Sequence, residues 1–316
     1  MINPTISHFY TFKCFTKGNW HNKPIIDVLL TNWPQRSREY YEKALELGVI
    51  TVNEQIVNPY HKLQHNKYIK HHVHMHEPLP PKIDFLYQDE RIAVLNKPAG
   101  IPCHPVGAYH FYSVTKAVFG EKRVGCINRL DMPVSGVLLI NICNSNDLHR
   151  KLMLKAKKFY VAKVKGNFPD EIEVEEPIGN IDNSKIMIIR EDGKYAKTIF
   201  KKLSYKDGFS LVLCQPITGR THQIRVHLKH IGFPILHDIL YGEGKDAEYE
   251  LHYDCDAKCD EDDEKTKFIV ENCTGKFNRS MAISNLHICL HAWKYQYDNK
   301  EFVAKWPEWA EQFNQQ

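Results

Sequence analysis

Asn128-Arg129-Leu130-Asp131-Met132-Pro133-Val134-Ser135-Gly136 is the stretch from which the rest of the chain can be read. It sets one carboxylate between an arginine and a Pro-containing turn, directly ahead of the apolar run Val137-Leu138-Leu139-Ile140. Such a run, bounded by a turn, reads as a buried strand. A lone Asp at the entry to a buried strand is costly, because a charge leaves water cheaply only when it is paired. Two further segments carry matching basic and aromatic chemistry: Lys158-Phe159-Tyr160-Val161-Ala162-Lys163-Val164, and Gly219-Arg220-Thr221-His222-Gln223-Ile224-Arg225-Val226-His227-Leu228.

The bulk properties set outer limits. With 316 residues, 43% hydrophobic and 25% charged, the composition is that of a soluble globular protein with one large or two modest domains. A net charge of +4 does not by itself mark a nucleic-acid binder, so the distribution of charge has to carry that question. No run of about 18 apolar residues is present, which excludes a conventional membrane helix, and no secretory apolar core follows the start. The first acidic residue is Asp27, but no arginine precedes it, so a mitochondrial presequence is only faintly indicated. The compartment expected is the cytoplasm or nucleus, with the mitochondrion as a further option. Nine cysteines, odd in number and scattered, fit a reducing compartment and no disulfide framework.

Residues 1–22 read as an N-terminal extension, and 23–77 as a small module. Within it, Arg36 to Leu47 has a helical apolar face, Gly48 stops the helix, and Val49 to Asn53 reads as a short strand entering a turn. His72, His74 and His76 share a face if their segment is extended. A polar strand face is the favoured role for them, ahead of a metal site. Pro78, Pro80 and Pro81 mark a boundary. From 82 to 306 strand candidates outnumber helices: a hairpin around Asp89-Glu90-Arg91, then Val137–Ile142, Tyr160–Val164, Ile186–Ile189, Ala196–Leu203 and Ser210–Cys214. Helices are expected near Asp147–Lys157 and Thr221–Ile231. This mixture argues for α+β rather than a doubly wound parallel sheet. Residues 242–284, with the acidic run Asp260 to Glu264, read as an insertion and a solvated loop. His252, Cys255, Cys259 and Cys273 within it could alternatively close a small zinc loop, a weak signal from one Cys-x3-Cys pair.

Taken in order, the three motifs resemble the signature set of the RluA-type pseudouridine synthases, with Asn128 where that family usually has His. His76-Glu77-Pro78, Gly100-Ile101-Pro102-Cys103-His104-Pro105, Cys126-Ile127 and Leu290-His291-Ala292 extend the resemblance over most of residues 10–306. They narrow it to the eukaryotic branch that modifies the tRNA anticodon stem-loop at position 32. The resemblance implies a pseudouridine synthase fold with a central mixed, mainly antiparallel sheet, preceded by an S4-like RNA-binding module at 23–77. It implies no cofactor and no catalytic metal, and RNA, foremost tRNA, as the partner of a monomer. The alternatives are a synthase for rRNA or mRNA, or a non-catalytic RNA-binding protein on a synthase scaffold.

The resemblance also assigns residues. Asp131 is the catalytic carboxylate, and an opposite charge within about 4–6 Å would favour its ionised form. Arg225 is expected as that partner, because it lies on a rigid helix while Arg220 lies in the turn before it. Tyr160 is expected against the target base. Asn128, Arg129, Arg220, His222 and Leu290 are expected around the substrate. Lys155, Lys157 and Lys158 belong to a basic run from His149 to Lys165 that holds no acidic residue and suits phosphate contacts. Cys103-His104, adjacent in a loop with no orienting acid, makes a poor thiol dyad.

Overall fold

The computed structural model describes residues 5–107, 109–181, 186–242, 263–273 and 287–313. In chain order the elements begin with β1 (Thr5–Phe15), α1 (Ile25–Asn32), α2 (Arg38–Glu46), β2 (Ile50–Val52) and β3 (Tyr68–Pro78). Next come β4 (Asp84–Gln88), β5 (Ile92–Lys97), α3 (Val114–Phe119), β6 (Gly125–Cys126), β7 (Ser135–Asn141), α4 (Asn146–Lys155) and β8 (Lys157–Lys165). β9 (Glu171–Val174), β10 (Ile178–Asn180), β11 (Met187–Ile189), β12 (Thr198–Lys206), β13 (Phe209–Pro216) and α5 (Gln223–His230) follow. α6 (Glu264–Glu271), β14 (Leu290–Tyr297), β15 (Lys300–Val303) and α7 (Glu308–Glu311) complete the order. The described residues fall into two compact units, one drawn from 5–78 and 263–273, the other from 79–242 and 287–313.

In the smaller unit α2 begins at Ser37, whose Oγ accepts from the Tyr40 N–H at 3.2 Å, and ends before Gly48 at φ +66°. Tyr41, Ala44 and Leu45 of α2 pack with Ile25, Ile26 and Leu29 of α1 and with Ile50 of β2. The turn after β2 carries Asn53 and Glu54 at φ +49° and +66°, flanked by a reciprocal pair of backbone bonds between Val52 and Gln55. Glycine is the usual second residue of such a turn. Glu54 is held there by the Tyr68 hydroxyl, which donates at 2.6 Å, and by Lys70. β1, drawn from the segment expected as an extension, pairs with β3 from Thr5↔Pro78 to Phe15↔Tyr68, giving a sheet of order β1-β3-β2.

The insertion departs from a solvated loop in its described part. α6 is capped by Asp263 and sends Phe268 and Ile269 into the same core as α1 and α2. Burial of these apolar positions against the α1–α2 core is what gives this piece a place to pack. His252, Cys255 and Cys259 lie outside the described residues.

In the larger unit one sheet runs β4-β5-β7-β14-β8-β13-β12-β9, with β6 on β7 and β15 on β14. All its pairings are antiparallel except β7 with β14, where His291 faces Ser135 and Ala292 faces Gly136. Both faces of this sheet are covered, which is why β7 reads as unbroken apolar sequence. Leu138 and Ile140 enter a core with Val114, Ile224 and Leu228, while Val137 and Leu139 pack with Leu148 and Leu152 of α4 and with Tyr295.

Gly136, at φ +111°, stands where β7 crosses closest to β14. A Cβ there would run into the Ala292 backbone. Backbone strain and overpacking combine at this position. Gly136→Ala should therefore cost about 3 kcal/mol of stability. Urea denaturation of the two proteins measures it, and an unchanged midpoint would mean the two strands can separate here at little cost.

Candidate active site

The 128–136 segment is held at several points, from outside at Asn128, Leu130 and Met132 and from within at its turn. Asn128 is buried, and its amide bridges β7: Nδ2 donates to the Val137 carbonyl at 3.0 Å and Oδ1 accepts from the Leu139 N–H at 2.8 Å. Both ends of the side chain expected at the substrate thus hold a strand instead. The Leu130 N–H donates to Cys103 Sγ at 3.3 Å. The Asp131 carbonyl accepts from the Val134 N–H at 3.0 Å, closing the Pro133 turn. Beneath it lies Lys97, fully buried, whose ammonium donates to the carbonyls of Pro98, Ile101 and Met132 at 2.8, 2.7 and 3.1 Å.

This scaffold holds the Asp131 carboxylate at the surface of the site, its side chain 29% exposed. Arg225 reaches it from α5, Nη1 donating to Oδ2 at 3.0 Å. The rest of that guanidinium is committed elsewhere. Nε and Nη2 form a fork on Asp238, at 2.7 and 2.8 Å, and the Asp238 side chain is fully buried. Asp238 also accepts the Leu240 and Tyr241 N–H groups at 3.1 and 3.3 Å. Burial works against the charge of Arg225, but the bonds and charge of Asp238, with Asp131 behind them, outweigh it and leave its pKa raised. The result is asymmetric: Asp238 is saturated and structural, whereas Asp131 has one strong donor and free lone pairs.

His222 sits at the head of α5 with φ +55° and points Nε2 at Asp131 Oδ2 from 3.7 Å. Its Nδ1 is 2.7 Å from the Tyr241 hydroxyl. That hydroxyl also accepts the Met187 N–H at 3.0 Å; with its own proton given to Nδ1, the imidazole proton sits on Nε2, facing Asp131. Burial, only partly offset by the Asp131 charge, lowers the His222 pKa and favours this neutral form. The expected amphipathic α5 is in fact buried from Gln223 to Leu228. Its polar face is consumed internally, with Gln223 bonded to the Lys197 carbonyl and Thr198, and His227 to Thr198 and the Glu176 carbonyl.

Tyr160 lies opposite Ala292 in the β8–β14 pairing, beside the Gly136 crossing. Burial, reinforced by the Asp131 charge, pushes its pKa up, so it is a neutral phenol. Leu290 is buried two residues earlier on β14. Arg129 is exposed, and Arg220 anchors its own turn through Nε to the Tyr195 carbonyl at 2.8 Å. The basic run is less uniform than its sequence. Asp147, just ahead of it, pairs with Arg150 and Lys151. Lys157 faces Gln296 and stands three residues along β8 from Tyr160, about 10 Å away. Lys155 and Lys157 share a depression with Asp298, Lys300 and Glu301, and burial lowers the Lys158 pKa. Burial likewise raises the Cys103 thiol pKa and lowers that of His104, which removes any activated dyad.

Asp238, Tyr241 and Lys97 were not singled out in the sequence. Asp238 had a readable signal, a lone acid in Phe233-Pro234-Ile235-Leu236-His237-Asp238-Ile239-Leu240-Tyr241, the same kind of signal that exposed Asp131. Around these carboxylates no trio of metal-ligating side chains occurs among the described residues.

Residues 91–230 match the family model of RNA pseudouridylate synthases. The chain is 34% identical to the mitochondrial tRNA pseudouridine(32) synthase of Saccharomyces cerevisiae over 77% of its own length and 58% of that relative, so it spans well under two thirds of it. It is 29% identical to the tRNA pseudouridine(31) synthase of the same yeast, over 94% of this chain and 92% of that one. An uncharacterized RNA pseudouridine synthase of Aquifex aeolicus is 34% identical over 66% of this chain and 74% of its own. Among solved structures, human RNA pseudouridylate synthase domain containing 1 superposes with a TM-score of 0.50 at 20% identity, over 72% of this chain and 84% of that one, a likeness of fold.

Lys97 gives the site a pH signature. Burial depresses its pKa from 10.5 to about 8, although Cys103 and Asp131 oppose the shift. Between those values the unfolded chain binds more protons at this group than the folded one, so its contribution to stability grows as pH rises. Against Lys97→Met, the wild type should gain about 3 kcal/mol from pH 8 to 10.5. Paired denaturation curves across that range check it, and a constant difference would mean an ordinary lysine pKa.

Proposed function

We propose that this chain, which belongs to the RNA pseudouridylate synthase family, isomerises uridine to pseudouridine in RNA, with the tRNA anticodon stem-loop as substrate and position 32 as target. The observation that carries the reading is the Asp131 carboxylate, held by one Arg225 donor and open on its other side. Isomerisation breaks the bond from C1′ to N1 of uracil and forms one from C1′ to C5. The C5 proton is lost and N1 gains one, so no redox partner is consumed. Asp131 serves as the nucleophile that takes C1′ while the base turns, and C5 then displaces it. Arg225 orients the carboxylate throughout, since Asp238 fixes the guanidinium before substrate arrives.

Tyr160, a neutral phenol on β8, is the surface on which the uracil ring stacks, and Leu290 adds an apolar wall. A stem or loop base must leave its stack to reach them. Arg129, exposed two residues before Asp131, is placed to fill the vacated space or meet phosphate. The N-terminal unit, with α2, Gly48, β2 and the Asn53-Glu54 turn in the order of an S4-like module, adds a second RNA contact. The enzyme works as a monomer, and no described helix is long and apolar enough to cross a membrane. Its compartment is the mitochondrion, as the name of the yeast relative suggests, with the cytoplasm or nucleus as the second reading.

Pseudouridine mapping on unmodified tRNA tests substrate and residue together. Wild type should place a pseudouridine at position 32, and Asp131→Ala none, while RNA affinity stays within a few-fold because phosphate contacts dominate it. Product at position 31 would keep the stem-loop and shift the target by one nucleotide, as the name of the second yeast relative suggests. Product on rRNA or mRNA alone would replace the substrate, and product on no RNA would leave only binding.

The phosphate role of the basic run has its own test. Lys155→Glu with Lys157→Glu should weaken tRNA binding and flatten the slope of log affinity against log salt by roughly 1–2. A slope that does not move would take this face out of the RNA footprint.

A further inference from the structure

Within the N-terminal unit, three metal-ligating side chains of the chain meet. His74 and His76 stand two residues apart on β3, and Cys273 follows the end of α6, some two hundred positions later in sequence. All three residues are buried, and their ligand atoms lie within 4.8 Å of one another. The two imidazole rings stand edge to face with centroids 5.0 Å apart, so their nitrogens converge without stacking. We propose that His74, His76 and Cys273 bind a structural Zn²⁺ ion.

The donor chemistry selects the metal. Two imidazole nitrogens and one thiolate suit Zn²⁺, whereas hard cations such as Mg²⁺ and Ca²⁺ seek oxygen. In a tetrahedral site with bonds of about 2.0–2.3 Å, ligand atoms stand roughly 3.3–3.6 Å apart, so the trio needs only a small contraction. Alternation along β3 puts His74 and His76 on one face, and the register leaves Met75 and Glu77 on the other. The α6 segment brings the thiol to that face: Phe268 and Ile269 dock in the core, the Cys273 N–H donates to the Val270 carbonyl at 3.1 Å, and Arg36 Nη2 clasps the Asn272 carbonyl at 2.8 Å. Three protein ligands leave a fourth position for water or one further donor.

Physically the ion would act as a clip. α6 is a helix of 8 residues, too short to hold its place by local bonds alone, and the ion would tie its end to the central strand of the β1-β3-β2 sheet. A loop closed over so many residues restricts the unfolded chain strongly. This proposal is independent of the activity at Asp131.

The experiment uses the full chain, stripped with a chelator and titrated with Zn²⁺ against a chromophoric competitor, and separately with Co²⁺ as a spectroscopic probe. The wild type should take up one ion and show the thiolate-to-cobalt charge-transfer band of a tetrahedral site. Cys273→Ser should lose that band and weaken Zn²⁺ binding by at least about a hundredfold. His76→Gln, which keeps the thiol, should retain a shifted band and weaken binding to a similar extent, so one misfolded variant does not decide the matter. Zn²⁺ should raise the melting temperature of the wild type and leave that of Cys273→Ser unmoved. No cobalt band in the wild type, or full Zn²⁺ affinity in both variants, overturns the assignment.

Discussion

The buried fork between Arg225 and Asp238 is the constraint on which the rest of the site depends. A guanidinium carried into the interior of a fold needs a carboxylate with matched geometry, or it costs several kcal/mol. Asp238 meets that demand completely, with two bonds to Arg225 and two to its own backbone. What Arg225 turns toward the site is its Nη1 group, one N–H of which is aimed at Asp131. Had Asp131 been the only acid, the fork would have closed on it and left it inert. The second acid frees the first to react while keeping a positive charge beside it.

Placing those three groups together requires two loops and a helix to agree to within a fraction of an ångström. On one side, the segment around Asp131 is held by Asn128 to β7, by Cys103 at Leu130 and by Lys97 at Met132. The parallel contact of Gly136 with Ala292 fixes where that segment enters the sheet. On the other, α5 is sunk in polar bonds from Gln223 and His227 to Thr198 and nearby carbonyls. Its inward polar face would be a liability in a helix chosen only for packing, since each buried polar atom must find a partner. Here those partners lock the rotation of the helix, and rotation decides where Arg225 points.

Much of this was legible in the sequence, and the reasons differ from element to element. β7 announced itself because both its faces are buried, and α2 by its apolar face and the Gly48 stop. α5 was read as a helix over 221–231 carrying Arg225 toward Asp131, but its apolar spacing did not show that Gln223 and His227 would be bonded inside. Hydrophobic periodicity cannot tell a solvated polar face from one satisfied by distant partners. α1 was passed over because Ile25-Ile26-Asp27-Val28-Leu29-Leu30 has no clean helical period. β1 was passed over because its exposed Phe9 and Phe15 blur the alternation of an edge strand. α6 could not be foreseen, since two apolar residues behind an acidic run acquire meaning only when the core they join is known. The Arg225–Asp131 pairing rested on the resemblance, while the fork of Arg225 on Asp238 needed the third dimension.

The departure at position 128 has a chemical reading of its own. Where the resembled family usually has His, this chain has Asn, and its amide donates to one backbone group of β7 and accepts from another two residues on. A neutral imidazole also offers one donor and one acceptor, on opposite edges of a planar ring. The position therefore demands a flat group with both capacities rather than a group that titrates. Asn meets that demand without a proton to lose near neutral pH, so the anchor of the Asp131 segment stays the same across the range in which an imidazole would change its pattern of bonds. In this fold Asn128 acts as a strand clamp, both ends of its amide being bonded to β7.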